Sequence, residues 1–234
     1  FEQLYGTPQR ADLLAVAAAQ RAITAVLDGH PEVTEPGLAR ALASHLPAEA
    51  ALLVSSSMPI RDVEWFAEPR SGLDLHANRG ANGIDGVTST ALGLALARSG
   101  RPTAALLGDL AFLHDGGGLA GLADRPCSLV LVVVDNHGGG IFSFLPQAAQ
   151  LPADRFEQLY GTPQRADLLA VAAAHGIPGT EIGGAADLPG RLAEAVAAGG
   201  VRLLVARTER AANVEVHAQL AAAVGAALQG PSSP

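Results

Sequence analysis

The sequence predicts an α/β fold, a parallel sheet with helices on both faces. Two observations carry this. Four short runs, 51–54, 103–107, 129–134 and 201–206, are apolar on consecutive residues apart from Thr103 and Arg202. A strand with one wet face alternates, so uninterrupted apolar runs mark strands covered on both sides. Ala/Leu-rich segments of helical length separate the runs, as connections between parallel strands require.

Taken in order, residues 1–19 (FEQLYGTPQRADLLAVAAA) recur unchanged at 156–174. Two copies so far apart do not describe a solenoid. A recent duplication, an engineered joint or a sequence-assembly error each account for the identity, so the first copy is left out of functional argument. Its Ala/Leu content continues as helix through Leu27, with Asp28-Gly29 as the stop and glycine as a left-handed cap. Thr34, Glu35 and Pro36 signal the next helix start, and Leu38, Leu42 and Leu46 fall on one face of it. The first strand follows at 51–54. The segment 74–79, ending in Asn78-Arg79-Gly80, offers a further strand end. Between the runs at 103–107 and 129–134, a crossover helix is expected near 119–123. GGGLAG at 116–121 satisfies GxGxxG but does not follow a strand, so it reads as a glycine-rich helix entry. The division expected is a helical segment and interdomain linker at 1–45, the α/β domain at 46–228 and a frayed tail at 229–234.

Composition excludes several functions. The 15 basic residues, all arginine, face 23 acidic ones for a formal charge of −8, which argues against nucleic acid or an anionic membrane as the main partner. A small anion held by local arginines is compatible with that balance. Lysine is absent, so no Walker motif exists. The single cysteine, Cys127, excludes an internal disulfide and a cysteine-cluster metal site. With no basic-then-apolar leader and no apolar run of spanning length, the expectation is a soluble cytoplasmic protein without a membrane span. His76, His114 and His137 lack metal-ligand spacing and read as polar loop residues. Arg207, Arg210 and Asn213 read as structural.

Function is read from what ends each strand. Ser55-Ser56-Ser57, Gly108-Asp109, Asp135-Asn136 and Arg207 all follow carboxyl ends. Carboxyl ends of a parallel sheet share one edge, and ligands bind in the crevice beyond it. Asp109 and Asn136 lie 27 residues apart, which one βαβ unit spans. Singly, each reads as a helix cap. Together, a carboxylate, an amide oxygen and a backbone carbonyl from the glycine loop 136–140 make a hard ligand set suited to Mg²⁺ and a substrate phosphate.

At this point the chain resembles a family. Gly108-Asp109-Leu110 followed by Asp135-Asn136 is similar to the thiamin-diphosphate signature, a Gly-Asp pair followed by an Asn-Asn pair, with Asp135 replacing the first Asn. Four blocks narrow the likeness: SMPIRD at 57–62, HANRGANGIDG at 76–86, GDLAFLHD at 108–115 and GGGIFSFLP at 138–146. They resemble the menaquinone-pathway synthases that make 2-succinyl-5-enolpyruvyl-6-hydroxy-3-cyclohexene-1-carboxylate, over roughly residues 20–228.

That resemblance implies thiamin diphosphate and Mg²⁺ (or Mn²⁺) as cofactors, with Asp109, Asn136 and the Gly138 carbonyl as metal ligands. Gly108, Asp109, Leu110, Asn136 and Ile84 would contact the cofactor. Ser57, Arg61 and Arg79 would contact the substrates, 2-oxoglutarate and isochorismate, and Ile141, Phe142 and Leu145 would form an apolar wall. Guanidinium forks suit the carboxylates of both substrates. The family's activating glutamate lies in a separate pyrimidine-binding domain of a partner subunit. No segment here resembles its surroundings, so the pyrimidine-binding and middle domains are expected to be missing, the intact enzyme to be a homo-oligomer, and the chain alone to be inactive. Another thiamin-diphosphate decarboxylase or carboligase, and a non-catalytic scaffold domain, remain as alternatives.

Overall fold

The computed structural model describes residues 10–98 and 100–229. In chain order the principal elements are α1 (Arg10–Leu27), α2 (Glu35–His45), β1 (Ala51–Val54), α3 (Met58–Phe66), β2 (Asp74–Ala77), α4 (Val87–Ala97), β3 (Thr103–Gly108), α5 (Asp109–His114) and β4 (Ser128–Asp135). Short turns then lead through α6 (Gln147–Gln150) and α7 (Ala153–Phe156) to α8 (Leu168–Ala174), β5 (Gly179–Glu181), α9 (Leu188–Ala198), β6 (Gly200–Arg207) and α10 (Arg210–Gln229). The six strands form one sheet in the order β2-β1-β3-β4-β6-β5, and every pairing is parallel.

Two-sided burial explains the apolar runs, because alternate residues of one strand enter different cores. Leu53, Ala105, Leu107, Leu131 and Val133 pack with Val87 and Ala91 of α4, Phe112 of α5 and Leu168 of α8. Leu52, Leu106, Val130, Val132 and Leu204 pack with Leu38 and Leu42 of α2, Val63 of α3 and Leu192 of α9 on the opposite face. A smaller cluster joins Ile23 and Leu27 of α1 to Phe66, Val216 and Leu220. Thr34 caps α2 as its sequence signal requires, its hydroxyl oxygen accepting from the Gly37 N–H at 3.1 Å.

Several local expectations need correction. α1 ends at Leu27, but Gly29 is not among the left-handed residues. The end closes instead by tight turns, with the Gly29 and His30 N–H groups donating to the Val26 and Leu27 carbonyls. No helix occupies 119–123. The β3–β4 crossover is α5, which begins directly at the strand end, followed by a 3₁₀ turn at Gly116–Leu119. Clustered glycines, with Gly121 at φ +66°, stop the helix from continuing. His76 lies in β2 and His114 in α5 rather than in loops. Strand β5 had no sequence signal, being a three-residue edge strand without an apolar run. Residues 1–9 and 230–234, which include most of the expected tail, lie outside the described residues.

The repeated segment adopts two structures. From Arg10 onward the first copy is continuous helix, and Leu13 is 59% exposed. The matching stretch of the second copy has no regular structure until Asp167, whose side chain caps α8 by accepting from the Ala170 N–H at 3.0 Å, and Leu168 is 2% exposed. Identical residues thus serve as core in one place and as surface in the other, because tertiary context overrides local propensity.

Candidate functional site

The strand order reverses between β1 and β3. From β1 the chain moves outward to β2, and from β3 it proceeds the other way to β4. α3 and α4 accordingly cover opposite faces, which opens a crevice beyond the carboxyl ends of β1 and β3. A cavity of about 600 Å³ occupies this place. The strand ends Ser55–Ser57, Gly108–Leu110 and Asn136 line it, together with Arg61, Arg79, Ile84, Gly138, Ile141 and Phe142. Of the residues singled out from sequence, Leu145 is not in the lining. It follows the 3₁₀ turn Gly140–Phe144 and is 40% exposed.

Register sets the central pair side by side. Gly108 of β3 is opposite Val134 of β4, so Asp109 and Asn136 leave adjacent strands at the same edge. Both are buried, at 1% and 7% exposure. Asp109 accepts from the Leu110 N–H at 2.7 Å and from Gln164 Nε2 at 3.0 Å. Burial raises its carboxyl pKa and the neighbouring Asp135 adds to this, against the lowering by Gln164 and by the Leu110 and Gly138 N–H groups. Asp135, the residue that departs from the family pattern, is paired: Gln164 Nε2 also donates to it at 3.0 Å, with Arg207 and His137 each 3.4 Å away. A buried second carboxylate beside the first is thereby compensated.

Asn136 is held differently. Its Nδ2 donates to Glu35 Oε1 at 2.9 Å, and the Thr208 hydroxyl donates to the same oxygen at 2.9 Å. Its Oδ1 is buried without a hydrogen-bond partner. Such an atom is expensive unless something completes it. Ser55 Oγ, in the same lining, is likewise unpartnered. Glu35 is 3% exposed. Burial pushes its carboxyl up to about 7, the Asn136 and Thr208 hydrogen bonds opposing and the Asp62 charge reinforcing the rise.

Backbone geometry crowds the same edge. His137 has φ +59° and Gly138 φ +141°, and a Cβ on Gly138 would collide with the Gly161 carbonyl oxygen, so only glycine fits. Ser57 at the start of α3 has φ +80°, a strained conformation for a side chain of its kind. The opposite wall is a tight loop in which the Asp85 carboxylate gathers the N–H groups of Ala81, Asn82 and Gly83 at 2.9–3.1 Å. Those bonds depress its pKa and shape the turn carrying Arg79 and Ile84. Arg61 donates to the Ser57 carbonyl at 2.6 Å. Among the described residues neither Arg61 nor Arg79 forms an ion pair.

A divalent ion fits this donor set. Among the described residues no cluster of three His, Cys, Asp or Glu side chains could hold a metal alone. The set available is one carboxylate, one orphaned amide oxygen and a glycine loop, all hard oxygen donors. Glu35 and Gln164 escaped the sequence reading. Glu35 was seen only as a helix-start residue, and Gln164 carried no signal inside the repeated segment.

The comparisons agree with the geometry. Residues 55–206 match the family model for the thiamine pyrophosphate enzyme C-terminal TPP binding domain. The chain is 46% identical over 208 residues to the 2-succinyl-5-enolpyruvyl-6-hydroxy-3-cyclohexene-1-carboxylate synthase of Thermobifida fusca, covering 87% of this chain and 36% of the relative. It is 44% identical to the protein of the same name from Myxococcus xanthus, covering 97% of this chain and 38% of the relative. The synthase of Chloroflexus aurantiacus is 41% identical over 88% of this chain and 35% of its own length. The chain therefore spans little more than a third of the relatives it matches. With the family model covering most of the sheet and every residue of the crevice lining but Glu35, the chain belongs to the thiamine pyrophosphate enzymes, as their C-terminal cofactor-binding domain.

Proposed function

We propose that this chain is the diphosphate-binding domain of a 2-succinyl-5-enolpyruvyl-6-hydroxy-3-cyclohexene-1-carboxylate synthase, a transferase that decarboxylates 2-oxoglutarate and joins the product to isochorismate in menaquinone biosynthesis. In this reading Asp109 Oδ, Asn136 Oδ1 and the Gly138 carbonyl hold Mg²⁺ against the cofactor diphosphate, with Gly108 and Leu110 beside it. Thiamin diphosphate, when bound, supplies the nucleophilic carbon that makes decarboxylation of a 2-oxo acid and carbon–carbon bond formation accessible. The protein's part is placement and environment. Arg61 and Arg79, without ion-pair partners among the described residues, offer forks to substrate carboxylates, and Ser57 presents a hydroxyl beside them. Ile84, Ile141 and Phe142 keep water from the reacting carbon, with Leu145 further out.

The observation that carries this reading is the buried, unpartnered Oδ1 of Asn136 next to Asp109 at the switch point. The domains covering the rest of the relatives' length would supply the remaining catalytic groups, so turnover is assigned to the assembled enzyme and not to this chain alone. Calorimetry tests the cofactor half: heat on adding thiamin diphosphate must depend on Mg²⁺ and vanish in Asp109→Ala. Heats that are the same in parent and variant would point to a scaffold domain instead. Sustained carbon dioxide release from 2-oxoglutarate beyond one equivalent that requires isochorismate, measured with the remaining domains restored, tests the substrate half.

A further inference from the structure

An amide has two ends of opposite character, and only the oxygen can serve a cation. Which end of Asn136 faces the crevice is therefore a structural decision, and the surroundings show what makes it. Glu35 reaches the strand ends from the first residue of α2, 101 positions away in sequence. Its Oε1 accepts from Asn136 Nδ2 at 2.9 Å, and an accepting oxygen can engage the amide through its nitrogen but not through Oδ1. Thr208, just beyond β6, donates its hydroxyl to the same Glu35 oxygen and steadies that carboxylate. The consequence is the arrangement observed: Nδ2 turned toward Glu35, and Oδ1 buried, unpartnered and on a residue of the cavity wall.

We infer that Glu35, supported by Thr208, is a positioning residue that sets the orientation of the Asn136 amide and so keeps its oxygen available to the divalent ion. The inference rests on the metal assignment proposed above and deepens it. Replacing Glu35 by glutamine preserves shape but supplies an N–H₂ group that can pair with Asn136 Oδ1, which lets the amide turn its nitrogen toward the ion. Outer partners of metal ligands typically change affinity by about 10–100-fold when lost.

The test titrates Mn²⁺ into the chain with thiamin diphosphate present and follows free Mn²⁺ by electron paramagnetic resonance, with thermal unfolding of each variant as the folding control. Glu35→Gln is expected to weaken Mn²⁺ binding by roughly tenfold or more. Thr208→Val, a milder change, is expected to weaken it less and guards against a misfolded Glu35 variant. The decisive variant is the double exchange Glu35→Gln with Asn136→Asp. It keeps the charge and the hydrogen bond but reverses the bond's polarity, and an aspartate needs no orienting because both its oxygens can bind metal. Restored Mn²⁺ affinity in the double variant is the expected result. Parent-like binding in folded Glu35→Gln, or no recovery in the double variant, overturns the inference while leaving the metal site standing. Failure of the parent to bind Mn²⁺ any better than Asp109→Ala overturns the metal site and the inference with it.

Discussion

Replacing Gln164 should reveal how two buried carboxylates coexist at the carboxyl edge of β3 and β4. Its Nε2 donates to Asp109 Oδ2 and to Asp135 Oδ1, both at 3.0 Å, while its Oε1 accepts from the Ala166 N–H at 2.6 Å. Gln164→Leu keeps the volume and removes all three bonds. A hydrogen bond to an ionised group contributes about 1.5–3 kcal/mol. Gln164 is itself half-exposed, so water recovers part of the loss, and the expected destabilisation is about 2–3 kcal/mol. Gln164→Glu should be worse, because a third carboxylate would replace the donor between two others. Urea denaturation at neutral pH without divalent ions measures both, as a lower midpoint with an unchanged slope. A loss below about 0.5 kcal/mol in Gln164→Leu, or a glutamate variant more stable than the leucine one, would refute the bridging role.

Three further outcomes rest on buried side chains. Burial raises the Asp62 carboxyl pKa, with His217 and the Arg61 charge opposing the rise and Glu35 of α2 facing it as a second acid. The folded state then holds the proton more tightly than the unfolded one, so Asp62 makes stability fall as pH climbs from the ordinary carboxylate value through the raised one. In Asp62→Asn that part of the slope should be absent from denaturation midpoints taken across the acid range. Phe112, fully buried between the sheet and α4, should lose about 3–5 kcal/mol as Phe112→Ala in urea melts, the usual range for emptying an aromatic core position. Cys127 is buried and its thiol pKa is raised by that burial, so it should react with a disulfide reagent near neutral pH only at the rate of unfolding, and promptly in denaturant.

The parts legible in sequence were those whose cause is local. The consecutive apolar residues of 103–107 and 129–134 state directly that both faces of those strands are covered, and the structure fills each face with a separate core. Thr34 with Pro36 announces a helix start because the cap bond spans only three residues. β5 was invisible for the converse reason: its pairing with β6 comes from the sheet, not from its own residues. The candidate site divides the same way. Asp109 and Asn136 could be found because strand ends converge whatever lies between them. Glu35 and Gln164 could not, since their contacts cross 101 and 55 positions and depend on where α2 and the second repeat copy come to rest. The same copy shows why composition would not have helped, as Leu13 and Leu168 occupy equivalent places in identical stretches yet only Leu168 is core.

The charge pattern around the crevice ties these observations together. Asp109, Asp135 and Glu35 are all nearly fully buried at one end of the sheet, an arrangement that water would ordinarily be needed to relieve. Each has a different answer. Asp135 faces Arg207 and His137, Glu35 is tied to Asn136 and Thr208, and Asp109 has only the neutral donors of Gln164 and the backbone. Arg207 is itself shared with Glu181, which dilutes its charge at Asp135. Asp109, like Glu35, thus has no cationic partner, and it ends the strand next to the one that carries the orphaned amide oxygen. A divalent cation placed between those two atoms would satisfy the carboxylate and the amide together. In the proposed reading the departure from Asn to Asp at position 135 is tolerated because that carboxylate has Arg207 and His137 beside it and shares Gln164 with Asp109.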